Sequence, residues 1–489
     1  MLLGAVLLRL PLLPLPPTLS DDLLRYVWDG RVAAAGRNPY VLAPSAAELT
    51  PLRDESWQRM PHRDVETVYP PLALAAFSIA SRFPRAPLAW KLFATGADLL
   101  ACSLLAALAS RLSLPPGRAA WYAWNPLVIL EVAGMGHVDA LGAAATIAVV
   151  LGLVSASGGR RPVRGIASLA AAGVLTKLVP LVALPLWARR SGRPWAFLGL
   201  VLALVALASA PVLAACGGLP PGLGKYAISW EFNGPLFEPL WRTLDHLGAA
   251  PAAARFVDRL KDWTHDYRSW NAVYPYLYPQ LLAKALLAVG LGGAVLLSLR
   301  ERDPVAGTER ILGAALLASA TVYPWYLLWV LPFAALRKNA AWLALSGLIL
   351  LSYLPQFTRI PLMPWVFLGI WGPFFGLLLW TALRGPHPLS PSPIALPPAR
   401  ERGELAAEGN DGSRRKKGKL ATESEDRSGR AKRGPDSHVP LSSFAGEGAR
   451  GRGPTDDSER RSGASAAPVR NTSPLSREGG RAMGEGARG

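Results

Sequence analysis

Cysteine is almost missing from this chain, with two in 489 residues. Cys102 lies inside an apolar run and Cys216 just after another, so neither a disulfide framework nor a metal-spacing motif is available. No glycine-rich phosphate loop precedes a strand, and no Walker, CxxC or catalytic-triad pattern occurs, which excludes soluble nucleotide chemistry and thiol redox work. The membrane segments show no internal repeat. No small-residue cleavage site precedes Ser20, so the first apolar stretch does not read as a removed signal peptide.

What is present is apolar. Hydrophobic residues make up 51% of the chain, mean hydropathy is +0.23, and long apolar runs recur from Leu72 to Leu383. They fall at about 70–83, 87–111, 119–134, 137–157, 165–188, 195–215, 276–299, 311–336, 340–356 and 362–383. A soluble protein of this length would divide into domains with polar surfaces; this pattern predicts a polytopic membrane protein. The formal charge of +18 reads as topology rather than nucleic-acid binding, because Lys and Arg up to residue 384 cluster between apolar segments.

The clusters Arg82/Arg85, Arg160/Arg161/Arg164, Arg189/Arg190/Arg193, Arg300/Arg302 and Arg337/Lys338 should all face the cytoplasm. Strict alternation of spans cannot satisfy every one. The conflict disappears if 165–188, broken around Lys177 and Pro180, and 311–336, broken around Tyr323-Pro324-Trp325, are hairpins or re-entrant pairs, with 119–134 a non-spanning outer element. Non-helical backbone at that depth is tolerated where it lines a cavity or is buried in protein. The loops 18–69 and 216–275 and the breaks near 135, 177 and 324 then share one face.

Met1 to Pro17 is apolar but carries Arg9 and four prolines, and is shorter than the roughly 20 residues of a spanning helix. It reads as a truncated first helix. From Gly385 to Gly489 the composition shifts to Pro, Gly, Ser, Arg and Glu, and Pro-Leu-Ser and Gly-Glu-Gly-Ala-Arg-Gly recur; this predicts a disordered basic tail.

Polar residues concentrate in loop 18–69. Asp21 and Asp22 follow the first apolar stretch and so sit at the membrane surface, where a carboxylate can take a proton from an attacking hydroxyl; Ser20-Asp21-Asp22 equally suits a helix N-cap. Arg25 and Arg31 are candidates for a phosphate, or for pairing with Asp22 and Asp29. His137 and Asp139 open a long apolar helix, where ionisable groups are functional candidates; they lack the further ligands of a metal site, and a sugar- or phosphate-binding pair or a structural pair are the readings left. Lys177 is too deep to snorkel easily and calls for an anion, either a lipid phosphate or Glu131 or Asp139 within the bundle. In loop 216–275, the stretch 251–270 sets Arg255, Arg259, Lys261 and Arg268 around Phe256, Leu260 and Trp263 as a surface-lying amphipathic helix would, for docking or for anchoring.

Ser20-Asp21-Asp22 through Trp28-Asp29-Gly30-Arg31 to Asn38-Pro39-Tyr40 resembles the first outer loop of bacterial membrane glycosyltransferases of the glycosyltransferase-C type, close to the polyprenyl-phosphate mannosyltransferase-like group. Tyr69-Pro70-Pro71, Trp124-Asn125-Pro126, Gly136-His137-Val138-Asp139, Lys177 with Pro180, and Pro324-Trp325-Tyr326 extend the resemblance over residues 20 to about 380. It implies an all-α transmembrane bundle over 1–384 with re-entrant or broken helices and two larger outer-face loops, in a bacterial-type inner membrane, with the active site outside and the tail 385–489 cytoplasmic. It implies transfer of a hexose, mannose first, from a polyprenyl phosphate to a lipid or glycan acceptor with inversion. Asp21 or Asp22 becomes the catalytic base, and Trp28, Asp29, Asn38, Tyr69, His137 and Asp139 become substrate-binding candidates; Arg25, Arg31 and Lys177 join them as phosphate holders by charge rather than by a matched family role. No cofactor beyond the lipid-linked donor is expected, no metal ligands are assigned and a divalent metal is left open, and nucleic acid is not a partner. The rival is a lipid-linked sugar flippase or transporter, which would also show broken helices and buried ions.

Overall fold

Proline sets the grammar of this chain. It lacks a backbone N–H, which costs nothing in the first turn of a helix, and Pro71, Pro126, Pro194, Pro221, Pro279, Pro304, Pro324 and Pro332 all stand in the first turn of helical segments. The computed structural model describes residues 1–155 and 162–383 and is an all-α polytopic bundle; its only strand-like pairing among the described residues is an isolated bridge between Phe232–Asn233 and Thr321. The expected tail from 385 onward and Arg160 and Arg161 lie outside the described residues.

Among the described residues, five helices are long and apolar enough to cross a membrane: Ala86–Arg111, Pro194–Cys216, Pro279–Ser298, Ala340–Phe357 and Leu362–Thr381. In Pro194–Cys216 and Pro279–Ser298 only 11% of the most apolar window is buried, so these two turn apolar side chains such as Leu207, Val289 and Leu296 outward. That surface suits lipid and would be unfavourable in water. The more deeply packed centre consists of Ala86–Arg111 against Asp139–Ser155, with Val163–Thr176 on the latter's other side.

The breaks expected near 177 and 324 are present. Val163–Thr176 ends where Lys177 turns extended, and a tight 3-10 turn over Val179–Ala183 follows, because Pro180 cannot continue the ladder. Pro304–Ala318 likewise gives way to an extended stretch and then the 3-10 segment Pro324–Trp329. The residues 126–134 form one short α-turn and a π-helical turn, Leu130–Gly134.

Arg9, anomalous in the sequence, is fully buried and donates through Nε to Asp98 Oδ2 at 2.6 Å and through a terminal nitrogen to the carbonyls of Ala5 and Ala123. Tyr122 donates to the other Asp98 oxygen at 3.1 Å. The first helix, Leu2–Arg9, is thereby tied to the centre of Ala86–Arg111 by a saturated ion pair.

Residues 18–69 fold around a short helix. The helix Asp22–Ala34 carries a small core of Leu24, Trp28 and Val32 closed by Leu49 and Met60. The apolar run expected at 70–83 forms only Pro71–Ala80, about 15 Å long at 1.5 Å per residue and half the membrane thickness. It packs on Asp22–Ala34 so closely that a Cβ at Gly30 would stand 2.3 Å from the Phe77 carbonyl oxygen.

This short helix overturns one expectation. Arg85 lines a groove with Leu13–Pro17, Leu23 and Leu24, at the end of the bundle where Asp21 and Asp22 lie. The clusters around 190, 300 and 337 meet at the other end, where Arg190 donates to Leu299 and Glu301, Arg337 pairs with Asp303 and Glu309, and Arg118 reaches the Leu336 carbonyl. Arg82/Arg85 was expected on the same face as these other clusters from charge bias alone. At about 15 Å, Pro71–Ala80 is too short to cross, and Arg85 lies at the opposite end of the bundle from those clusters. Exposed cysteines placed at Arg82 and at Arg302 in a Cys216→Ser background are therefore expected to label from opposite sides of the membrane with an impermeant maleimide; labelling from the same side would contradict this topology.

Loop 216–275 is clamped to both partners. Lys225 pairs with Glu66 at 3.1 Å, a Cβ at Gly222 would meet the Glu66 carbonyl oxygen at 2.4 Å, and Trp371 donates to the buried Asn233 side chain at 2.9 Å. The amphipathic helix is Ala249–Thr264, with Phe256 and Trp263 exposed. It stops short of 270 because His265 enters the left-handed region at φ +53° and a separate turn starts at Tyr267.

Candidate functional site

The two outer-loop carboxylates are placed by the start of Asp22–Ala34. The backbone N–H of Asp22 donates to the Ser20 hydroxyl at 3.3 Å, while Asp21 makes no side-chain cap hydrogen bond. The Ser20 hydroxyl thus caps the helix, leaving both carboxylates free of that duty. Asp21 is exposed on the surface; partial burial raises its carboxyl above the usual range, opposed by Arg59. Asp22 points inward with 34% of its side chain exposed. Burial pushes it up to about 6, opposed by the Lys177 charge and the Tyr26 hydrogen bond.

Behind Asp22 stands a polar chain. Tyr26 donates to Asp22 Oδ2 at 3.2 Å and lies 3.4 Å from His137 Nδ1. His137 Nδ1 is 3.7 Å from Asp22 Oδ2, and its Nε2 is 3.3 Å from Glu131 Oε2. Tyr353 donates to the other Glu131 oxygen at 2.9 Å. Beside this chain, Lys177 Nζ donates to both Asp139 oxygens at 2.7 and 2.8 Å, and Trp329 Nε1 donates to Asp139 at 2.7 Å. Lys177 is also 4.4 Å from the Tyr326 ring centre, a cation–π contact, and keeps 20% of its side chain exposed.

Aromatic rings wall the site. Phe232, Tyr323, Trp325 and His137 stack in succession at centroid distances of 4.6, 4.5 and 3.8 Å. This stack joins the second large loop to the break near 324 and to His137. The hydroxyls of Tyr226 and Tyr326 meet at 2.6 Å beside Lys177.

Of the residues singled out in the sequence, Asp22, His137, Asp139 and Lys177 come together here, with Tyr69 packed edge-on against Tyr26 at 5.1 Å. Asp21 adjoins on the surface. The others serve the loop. Arg25 donates to Asp29 Oδ1 at 2.9 Å and to the carbonyls of His62 and Val65. Arg31 pairs with Asp54 at 2.7 Å and reaches the Leu52 carbonyl. Trp28 lies in the small core. Asn38 accepts from the Tyr40 N–H at 2.9 Å and holds a turn. Sequence reading gave no role to Trp325, Trp329 or Tyr353; the Pro324-Trp325-Tyr326 break was the available signal for the first two, and for Tyr353, within an apolar run, there was none. Among the described residues no group of three or more His, Cys, Asp or Glu side chains forms a metal cradle.

A largely apolar groove of about 480 Å³ is lined by Leu13, Pro16, Leu23, Leu24 and Leu88, with Glu55, Arg59, Arg85 and Lys91 among its polar residues. Pro14 to Pro17 give it a stiff wall, since proline fixes φ.

No curated protein and no solved structure matches the chain. Residues 2–191, which hold Asp21, Asp22, Glu131, His137, Asp139 and Lys177, match the family model of the alpha-(1->6)-mannopyranosyltransferase N-terminal domain, a similarity that supports a membrane mannosyltransferase family.

Proposed function

We propose that this chain transfers mannose from a polyprenyl-phosphate-linked donor to a hydroxyl of a lipid or glycan acceptor, with inversion, on the outer face of a bacterial-type plasma membrane. The observation that carries the reading is a part-open carboxylate, Asp22, within the field of a part-open cation, Lys177, which Asp139 holds in place, in a bundle that also carries an apolar groove lined by Leu23 and Leu24. The acceptor oxygen attacks the anomeric carbon, its proton passes to an Asp22 oxygen, and the bond from that carbon to the phosphate oxygen breaks, so that the polyprenyl phosphate leaves as an anion. Inversion follows from a single displacement. A base whose ordinary range has been raised to about 6 stays ionised at neutral pH yet is more basic than a surface aspartate, as proton abstraction needs.

Lys177 supplies charge for the leaving phosphate. Arg25 and Arg31 have donors committed inside the loop, which leaves Lys177 as the cation best placed for that task. The groove along Leu13–Pro17 offers an apolar bed for the prenyl chain, and the basic clusters at the opposite end fit a cytoplasmic face, from which the chain beyond Leu383 continues.

The test is transfer of labelled sugar in membranes containing the chain, supplied in turn with polyprenyl-phosphate-mannose and with a soluble nucleotide-mannose in the presence of extracted acceptors. Label transferred from the lipid-linked donor alone is the expected result. Transfer from the nucleotide sugar alone would overturn the donor assignment, and transfer from neither, with translocation of the lipid-linked sugar, would replace the enzyme by a flippase.

A further inference from the structure

Glu131 and His137 are fully buried, and neither has been given a chemical step. Their facing atoms, Glu131 Oε2 and His137 Nε2, stand 3.3 Å apart, and each is buried without a hydrogen-bond partner. Glu131 has no Lys or Arg within pairing distance among the described residues, since Lys177, the cation of this cluster, is held by Asp139. A buried carboxylate without a cation is strongly disfavoured, whereas a neutral carboxylic acid facing an imidazole nitrogen has a proton to give it.

The direction of that proton decides the rest of the chain. With Nε2 accepting from Glu131, the His137 proton resides on Nδ1 and points to the Tyr26 oxygen 3.4 Å away; the Tyr26 O–H is then free to donate to Asp22 at 3.2 Å. With Glu131 ionised, Nε2 would carry the proton, Nδ1 would become an acceptor, and the Tyr26 hydroxyl would turn to it and away from Asp22. Such tautomer control by a group at the far ring nitrogen is a common use of histidine. The ring is held for the purpose: Trp325 stacks on it at 3.8 Å, its backbone N–H donates to the Glu131 carbonyl at 3.0 Å, and the Gly136 carbonyl accepts from Trp90 at 2.6 Å. Glu131 itself stands in a π-helical turn, a feature that recurs at functional sites.

We infer that Glu131, carrying its proton, is a positioning residue for Asp22: its O–H donates to His137 Nε2 and so orients Nδ1–H toward Tyr26 and the Tyr26 hydroxyl onto the catalytic carboxylate. The inference rests on the reading of Asp22 as the base. The groups facing this chain are Asp22, Tyr26, Tyr353, Asp139 and Lys177, and of these only Lys177 and Asp139 form a charged pair.

Two measurements test it. In the first, infrared spectra of the purified full chain at neutral pH should show a carboxylic-acid carbonyl band that disappears in Glu131→Gln; a band unchanged in that variant, or no such band in the wild type, would overturn the proposal whatever the activity. In the second, Glu131→Leu should lower kcat by about tenfold or more, with KM changed less than about threefold, while Glu131→Gln, which keeps an N–H donor toward Nε2, recovers most of the loss. A Gln variant as impaired as the Leu variant would show that an ionised carboxylate is needed and would overturn the proposal. If the wild type itself transfers no sugar, the reading of Asp22 fails separately, and the infrared result still decides the protonation of Glu131.

Discussion

Replacing Asp22 by Asn should reduce sugar transfer by about 10²- to 10⁴-fold, the range that general-base catalysis contributes, while Asp21→Asn should lose much less. The two carboxylates are neighbours in sequence but not in environment. Asp21 faces outward, whereas Asp22 turns toward Tyr26, His137 and Lys177. The substitution is nearly isosteric, and the amide can still accept from Tyr26, so the fold should survive. The pH profile carries a second expectation. The base works only when ionised, and burial raises Asp22 to about 6, so activity should climb as pH rises through about 6 and level off above it; below that value the protonated fraction grows and rate falls tenfold per unit. A profile flat between pH 5 and 7, measured with donor not limiting, would remove Asp22 from the proton transfer.

Lys177→Met should have the second large effect, on stability and transfer together. It strips the fully buried Asp139 of its cation and two hydrogen bonds, leaving only Trp329, and breaking a buried pair on one side costs about 3–5 kcal/mol. Combining it with Asp139→Asn removes the orphaned charge, so thermal unfolding of the detergent-purified double variant should return most of the way to wild type. If Lys177 also neutralises the leaving phosphate, transfer should stay down by about 10²-fold or more in the double variant, as for loss of a transition-state charge stabiliser. Recovery of both stability and transfer would reduce Lys177 to a structural cation.

These two tests separate roles that the sequence left open. Lys177 was read as wanting either a phosphate or an acid of the bundle; the structure supplies the acid, Asp139, and leaves a fifth of the side chain open. The N-cap reading of the acidic pair is answered by the Ser20 hydroxyl, a choice between adjacent side chains that spacing cannot make. Arg25, Arg31 and Asn38 looked equally available as substrate contacts. They hold the loop through backbone carbonyls and turns, and a backbone acceptor leaves no trace in side-chain pattern.

Membrane crossing, the places where helices break and the loops that gather polar residues are all legible in the amino-acid order. Those follow from local quantities: apolar length against bilayer thickness, proline's missing N–H, and the cost of ionisable groups in an apolar run. Folding is what joins Arg9 to Asp98, shortens the helix within 70–83 to Pro71–Ala80, and sets Glu131, His137, Tyr26 and Asp22 in one row. Each depends on contacts between residues far apart in sequence, such as Gly30 against the Phe77 carbonyl. Burial at those contacts decides which polar groups face one another and which remain open to a substrate.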